Sequence, residues 1–238
     1  MNRICIATIS LAMSEEEEKV LQVSLAQLAR LGLPVYITDG GSSQTFIEVL
    51  HSFSNFTVLH ARGLWPQTKA SIIEAANKSE FVFYTEPDKL DFFLNYLPKI
   101  LEPPLYESMG VMLASRSPLG FSTFPPFQQM TENTINQCCK EVMGKNVDYC
   151  YGPFLFNSKI LPYMNSVNDN CGWGWRPFLF TIAHRLGFTL ESYQNDFTCP
   201  TDQRIDNETE RIYRMKQLTQ NINGLVEAVG VDLSKKND

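Results

Sequence analysis

No stretch of this chain approaches the roughly 18 consecutive apolar residues that a membrane-spanning helix requires. Its apolar beginning, residues 4–11, is interrupted by Thr8 and Ser10 and is followed by Glu15, Glu16, Glu17 and Glu18. That run is too short for a secretion signal with its cleavage site, so the expectation is a soluble, cytoplasmic protein with no transmembrane segment. The cysteines Cys5, Cys138, Cys139, Cys150, Cys171 and Cys199 show no CxxC or zinc-finger spacing, which points to reduced, buried thiols. Positive charge is also scarce. Lys and Arg number 20 against 26 Asp and Glu, giving a net charge of -6 and a pI near 5.2. This excludes a general nucleic-acid or anionic-membrane surface. An anionic ligand would have to be held locally, by a cation, a few basic side chains or helix N-termini. Internal repeats and low-complexity tracts are absent.

What is present is enough for a sizeable core: 238 residues, 44% hydrophobic and 12% aromatic, suit one large domain or two small ones. Short apolar runs at 4–9, 34–38, 56–60 and 81–84 alternate with helical patterns at 15–31, 44–52 and about 63–76. Parallel strands need covering crossovers, so this alternation predicts a mostly parallel α/β sheet flanked by helices. Ser14 is the expected cap of the first helix, with the glutamates complementing its dipole and Gly32 ending it. Later segments read as a helix over 90–101, a strand over 110–115, a long loop over 116–130 and a helix over 131–143. An aromatic strand over 148–156, a helix over 178–186, a strand over 189–193, a helix over 207–229 and a frayed tail at 234–238 complete the pattern.

Residues 80–91 carry the strongest chemical signal. The run Phe81-Val82-Phe83-Tyr84 suits a strand buried on both faces, and Glu86, Asp88 and Asp91 follow it. Carboxylates at the carboxyl end of such a strand face the crevice where open α/β sheets bind ligands. Pro87 stiffens the turn and biases Glu86 towards extended backbone, so Glu86 and Asp88 form a pair suited to a hard divalent cation shared with phosphates. An acidic turn with Asp88 capping the next helix explains the same residues. Asp39-Gly40-Gly41-Ser42-Ser43 could hold a nucleoside or be a plain strand-to-helix turn. Gly172-Trp173-Gly174-Trp175-Arg176 could be a sugar-stacking platform beside an anion-pairing arginine, or core aromatics at a tight bend.

The order of these motifs resembles the GT-A glycosyltransferases, especially the family 2-like enzymes: the Asp39-Gly-Gly-Ser-Ser turn, Gly63 and Lys69 before a helix, Glu86-Pro87-Asp88 after a strand, then Gly-Trp-Gly-Trp. The resemblance covers residues 3–190. It implies a single GT-A domain with a nucleotide-sugar-binding half (1–115) and an acceptor-binding half (116–238). The implied activity moves a sugar from a nucleotide-diphosphate-sugar donor to a hydroxyl acceptor with Mn²⁺ or Mg²⁺. It further implies that Asp39 reads the base, with Thr8, Ser10 and Gly40 in the same pocket and Lys69 near the base or diphosphate. Glu86 and Asp88 would be the metal carboxylates, with His184 a further candidate ligand, and Trp173 and Trp175 would border a sugar. Two departures stand out: Glu replaces the first Asp of the DxD motif, and Trp175-Arg176 replaces a general-base carboxylate. Asp169, Asp196 or Glu191 could supply that base. Arg116, Arg176 and the basic face of the last helix (Arg211, Arg214, Lys216) hint at an anionic acceptor. A sugar-phosphate nucleotidyltransferase would carry a glycine-rich basic loop after the first strand, where this chain has Ser-Leu-Ala-Met-Ser-Glu-Glu. A non-catalytic nucleotide-sugar-binding protein is the other alternative.

Overall fold

The structure is a computed structural model that describes residues 2–102 and 105–234. Pro103, Pro104 and residues 235–238 of the expected tail lie outside the described residues. The chain groups into two compact units, Met1–Tyr106 with Pro153–Leu161, and Glu107–Gly152 with Pro162–Asp238.

In the first unit, β1 (Asn2–Ser10), β2 (Val35–Asp39), β3 (Phe56–His60) and β4 (Ser79–Tyr84) pair in parallel in the order β3-β2-β1-β4. An antiparallel strand, β6 (Phe154–Asn157), joins β4 and sets Tyr84 opposite Phe154. The crossovers are α1 (Glu15–Ala29), α2 (Gln44–Ser52) and α3 (Leu64–Ala76). Helix α3 packs on β1, β2 and β4. Cys5, Ile6 and Ala7 of β1 and the apolar run of β4 are buried, as a doubly covered parallel sheet requires. Ser14 caps α1 through the Glu17 amide, and Ser43 caps α2 through that of Phe46. The α/β fold with its mostly parallel sheet is the one the alternation of elements predicts.

The segment read as one helix over 90–101 is two, α4 (Leu90–Asn95) and α5 (Leu97–Leu101). Pro98 has no N–H for a continuous ladder and its ring would meet the carbonyl four residues back. Asp88 does not cap α4; the cap position is Lys89.

In the second unit, β5 (Met109–Arg116) pairs in parallel with β7 (Thr189–Asn195). The expected long loop after β5 is largely helical, with α6 (Pro118–Ser122) and α7 (Pro126–Met143). A proline at the first helical position starts each, where its missing N–H costs nothing. Residues 148–153 are not strand, because Gly152 takes a positive φ of 129° and Pro153 follows. Beyond a 3₁₀ segment at Ser158–Ser166, whose chain crosses from one unit to the other, lie a second 3₁₀ turn at Gly172–Gly174, α8 (Trp175–Arg185) and α9 (Glu208–Gly230). Helix α9 packs on α7, α8 and the Gly172–Gly174 turn. Among the described residues no helix is long and apolar enough to cross a membrane.

The glycines of the Gly-Trp-Gly segment are explained by α9. A Cβ on Gly174 would stand 2.3 Å from the Gln220 carbonyl oxygen, and one on Gly224 would stand 2.0 Å from the Gly174 carbonyl oxygen. Both obstacles are backbone, so neither can swing away. Gly174→Ala or Gly224→Ala should each lower stability by about 1–3 kcal/mol, the usual cost of overpacking, read as a lower urea midpoint. A midpoint unchanged in both variants would contradict this packing.

Candidate functional site

The first unit brings its candidate residues to the carboxyl ends of β1, β2 and β4. Asp39, at the end of β2, is 1% exposed. Its Oδ1 accepts from the amides of Gly41 (2.8 Å) and Ser42 (2.9 Å), and its Oδ2 accepts from the hydroxyls of Ser10 (3.0 Å) and Ser42 (2.6 Å). A carboxylate has about four lone-pair positions, and this one has filled them, three from its own turn and one from the end of β1. Ser42 Oγ in turn accepts from the Ala12 amide at 3.0 Å. The carboxylate therefore fastens the turn after β2 to the turn after β1. Reading a base through Asp39 would mean giving up one of these bonds.

Thr8 and Ser10 are likewise buried. Thr8 Oγ1 donates to the Thr85 carbonyl across β1 and β4 (2.8 Å), so its hydroxyl ties strands together rather than lining a pocket. Gly40 lets Gln67 pack close: a Cβ there would lie 2.8 Å from Gln67 Nε2 and would push the amide aside. Gln67 Nε2 donates to the carbonyls of Ser10 (2.9 Å) and Thr38 (3.2 Å), stitching β1 to β2 from the face of α3. Sequence reading passed over Gln67; its one signal is an amide side chain in the first turns of a helix that covers the sheet. Lys69, two residues on, is half-buried on the other flank of α3, because two residues turn a helix through roughly 200°.

Glu86, half-buried, and Asp88, exposed, occupy the turn after β4 with Pro87 between them. No group of three or more His, Cys, Asp or Glu side chains able to hold a metal forms among the described residues. A cation held by protein alone does not fit this turn. One that keeps waters and phosphate oxygens and takes one or two protein carboxylates, as Mg²⁺ or Mn²⁺ does, fits it.

The second unit places its candidates differently. Arg116 is 3% exposed at the end of β5. Its Nε and Nη2 donate to Asp148 (2.5 and 3.0 Å), and Nη2 also donates to Glu132 (2.6 Å). The rings of Phe121 and Phe124 lie 4.5 and 4.3 Å from its guanidinium carbon. An arginine so enclosed does not meet an acceptor, and the substrate-binding role expected of Arg116 gives way to a structural one. Asp148 also accepts from Asn136 (3.1 Å) and the Cys150 amide (3.0 Å). Burial alone would raise the Asp148 pKa, but Arg116 and these donors outweigh it and hold the carboxyl below its ordinary value. Burial likewise acts to lower the Arg116 pKa, and Glu132 and Asp148 overcome it, keeping the guanidinium charged.

Trp175 is fully buried and belongs to the core, not to a sugar platform. Trp173 is half-buried, donates from Nε1 to the Tyr213 hydroxyl (2.9 Å) and has the Arg176 guanidinium 4.4 Å from its ring centroid. Asp169 is exposed in the turn before Gly172. Asp196, exposed at the end of β7, accepts a short hydrogen bond from Ser117. Glu191 pairs with Lys145 at 3.3 Å. His184 is exposed in the last turn of α8. That turn leads to the start of β7, which pairs with the start of β5, so His184 stands at the opposite edge of its unit from the strand carboxyl ends. The metal-ligand expectation for His184 finds no support in this placement.

Solved structures share this architecture. The crystal structure of a mycobacterial protein superposes with a TM-score of 0.67 at 15% identity, over 98% of this chain and 76% of that one. Glucosyl-3-phosphoglycerate synthase from Mycobacterium tuberculosis, solved with Mn²⁺, UDP-glucose and glycerol 3-phosphate, superposes with a TM-score of 0.66 at 13% identity over 98% and 82%. Its complex with Mn²⁺, UDP-glucose and phosphoglyceric acid gives 0.67 at 13% over 98% and 81%. The chain shares their fold. The GT-A architecture expected from the sequence motifs is thus the one found. No family model and no curated protein matches the chain. At such identity the fold alone carries over, and activity has to be argued from the residues.

The pairing of Asp148 predicts an acid limb of stability. Its folded pKa is depressed, so the unfolded chain takes up a proton that the folded chain refuses, and stability rises with pH across that window. The contribution is complete above the ordinary carboxylate value of about 4 and is lost as pH falls through the lowered pKa. Asp148→Asn should cost about 3–5 kcal/mol by leaving a buried guanidinium under-neutralised and flatten the acid limb of urea midpoints. An equally steep limb in the variant would place the titrating group elsewhere.

Proposed function

We propose that this protein transfers a sugar from a nucleotide-diphosphate-sugar donor to a hydroxyl acceptor with the help of a divalent cation. The observation that carries the reading is the Glu86-Pro87-Asp88 turn at the carboxyl end of β4, in a chain whose fold is that of synthases solved with Mn²⁺ and UDP-glucose. Donor binding is assigned to the first half (1–115) and acceptor binding to the second (116–238).

Within this reading Asp88 is the principal metal carboxylate and Glu86 the second, with Pro87 limiting the freedom of both. A cation bound there would neutralise the donor's diphosphate and make the nucleotide a better leaving group. The turn fastened by Asp39, Ser10 and Gly40 would receive the nucleoside, and Lys69 would lie on the diphosphate side of α3. Asp169 is the candidate base for the acceptor hydroxyl. Trp173 is the candidate sugar contact for an acceptor of the kind present in the synthase complexes, glycerol 3-phosphate and phosphoglyceric acid, whereas Arg176 is buried against the Trp173 ring and, like Arg116, is not offered to an anion. The six cysteines are reduced thiols, which supports a reducing, cytoplasmic compartment.

Thermal unfolding with UDP, GDP or ADP, each with and without Mn²⁺, tests the reading. A nucleotide that binds only the folded chain stabilises it by roughly 2.7 kcal/mol at a hundredfold excess over its dissociation constant. The expected result is a Mn²⁺-dependent rise for at least one nucleotide that Asp88→Ala abolishes. No rise with any of them would sink the donor site. Turnover of UDP-glucose by the wild type, by transfer or slow hydrolysis, separates an enzyme from a protein that only binds.

A further inference from the structure

Arg62 is a charged side chain at the donor rim of the first unit whose chemistry the motifs leave unassigned. It follows Ala61, whose amide donates to the Asp39 carbonyl (3.2 Å) and carries the β2–β3 ladder to its last rung. Arg62 is therefore fixed at the carboxyl ends of β2 and β3. It is exposed, and among the described residues its guanidinium makes no hydrogen bond or ion pair. Its Nε and Nη2 lie 3.9 Å from where a Cβ of Gly41 would stand, and Gly41, at φ 122°, leaves the adjoining backbone bare.

Resting on the donor reading above, we propose that Arg62 selects the nucleobase and that the donor carries a keto base, uracil, thymine or guanine. Strand order sets the geometry. From β4 to β2 is two strand spacings, about 10 Å. With the diphosphate held through a divalent cation at Glu86 and Asp88, the ribose and base would extend along the strand ends towards β2 and β3. The group waiting there is not Asp39, whose oxygens are spent on the Gly41 and Ser42 amides and on two hydroxyls. An acceptor that would take a base N–H is thus replaced by a planar cation that can only donate. Such a fork pairs with the O4 of uracil or thymine or with O6 and N7 of guanine. Cytosine and adenine put an amino donor at the corresponding position, and a donor facing a donor is repelled.

Calorimetric titration of UDP, GDP, CDP and ADP in Mn²⁺ tests this on the wild type, Arg62→Ala and Asp88→Ala. Arg62 is exposed and unbonded, so its removal leaves the fold intact, which an unchanged unfolding midpoint verifies. In the wild type UDP and GDP should bind roughly tenfold or more tightly than CDP and ADP, the discrimination a good arginine contact gives. Arg62→Ala should bring UDP and GDP down to the CDP and ADP level, whereas Asp88→Ala should weaken all four alike. A keto preference that survives Arg62→Ala, or equal binding of all four by the wild type, overturns this inference alone. Absence of binding by all four nucleotides overturns the donor reading together with it.

Discussion

Arg116 is a guanidinium taken out of water, and the second unit is built around the carboxylates that make this tolerable. Removing one ion from water costs several kcal/mol, recovered only where the opposing charge is close and every remaining donor is used. Here Asp148 supplies a two-pronged partner and Glu132 a second, while Phe121 and Phe124 close over the flat faces. Each partner comes from a different place in the chain. Arg116 ends β5, Glu132 lies in α7, Asp148 precedes the turn at Gly152, and Arg214 of α9 approaches Glu132 at 3.9 Å. One buried charge thereby fixes the mutual placement of a strand end, two helices and a loop.

The first unit applies the same economy to an anion. Asp39 is buried, and four donors of its own neighbourhood satisfy it. Gln67 reinforces that lock from the other face by holding the Ser10 and Thr38 carbonyls. The rim is rigid before any ligand arrives, so little ordering cost would fall on binding. Rigidity also divides labour there. The buried polar groups shape the rim, and Arg62 and Asp88 stand exposed on it.

Much of the fold was legible because parallel α/β sheets write themselves twice, once in apolar runs and once in capped helices. The bounds of α2 and β3 fall where the pattern placed them, and Ser14 and Asn207 cap helix starts through their side chains, whereas α1 ends at Ala29 with Arg30 as its cap, short of the expected Gly32. The errors have local causes. The stretch 116–130 is expected as a loop, but Pro118 and Pro126 begin helices there. Of the strand expected over 148–156, only the end is strand, in β6; before it the Tyr151 ring stacks on Phe197 and lies beside Arg116 instead. The site was less legible than the fold. Sequence names charged and aromatic residues but does not say which are already spent, and Asp39, Arg116 and Trp175 are consumed by structure. Arg62 went unremarked because an arginine before a helix has no pattern of its own.

The first unit is discontinuous along the chain, and that has a consequence for its birth on the ribosome. Strands β1 to β4 emerge in order and can pair as they appear, but β6, the neighbour on the open side of β4, is separated from it by residues 107–152 of the other unit. Until those residues have been synthesised, β4 is an edge strand of bare amides and carbonyls whose side chains are Phe81, Val82, Phe83 and Tyr84. An unpaired apolar edge invites pairing with another chain. The nascent protein therefore passes through an interval in which a strand buried in the finished fold is its most adhesive one, and chaperone demand during synthesis should be concentrated there.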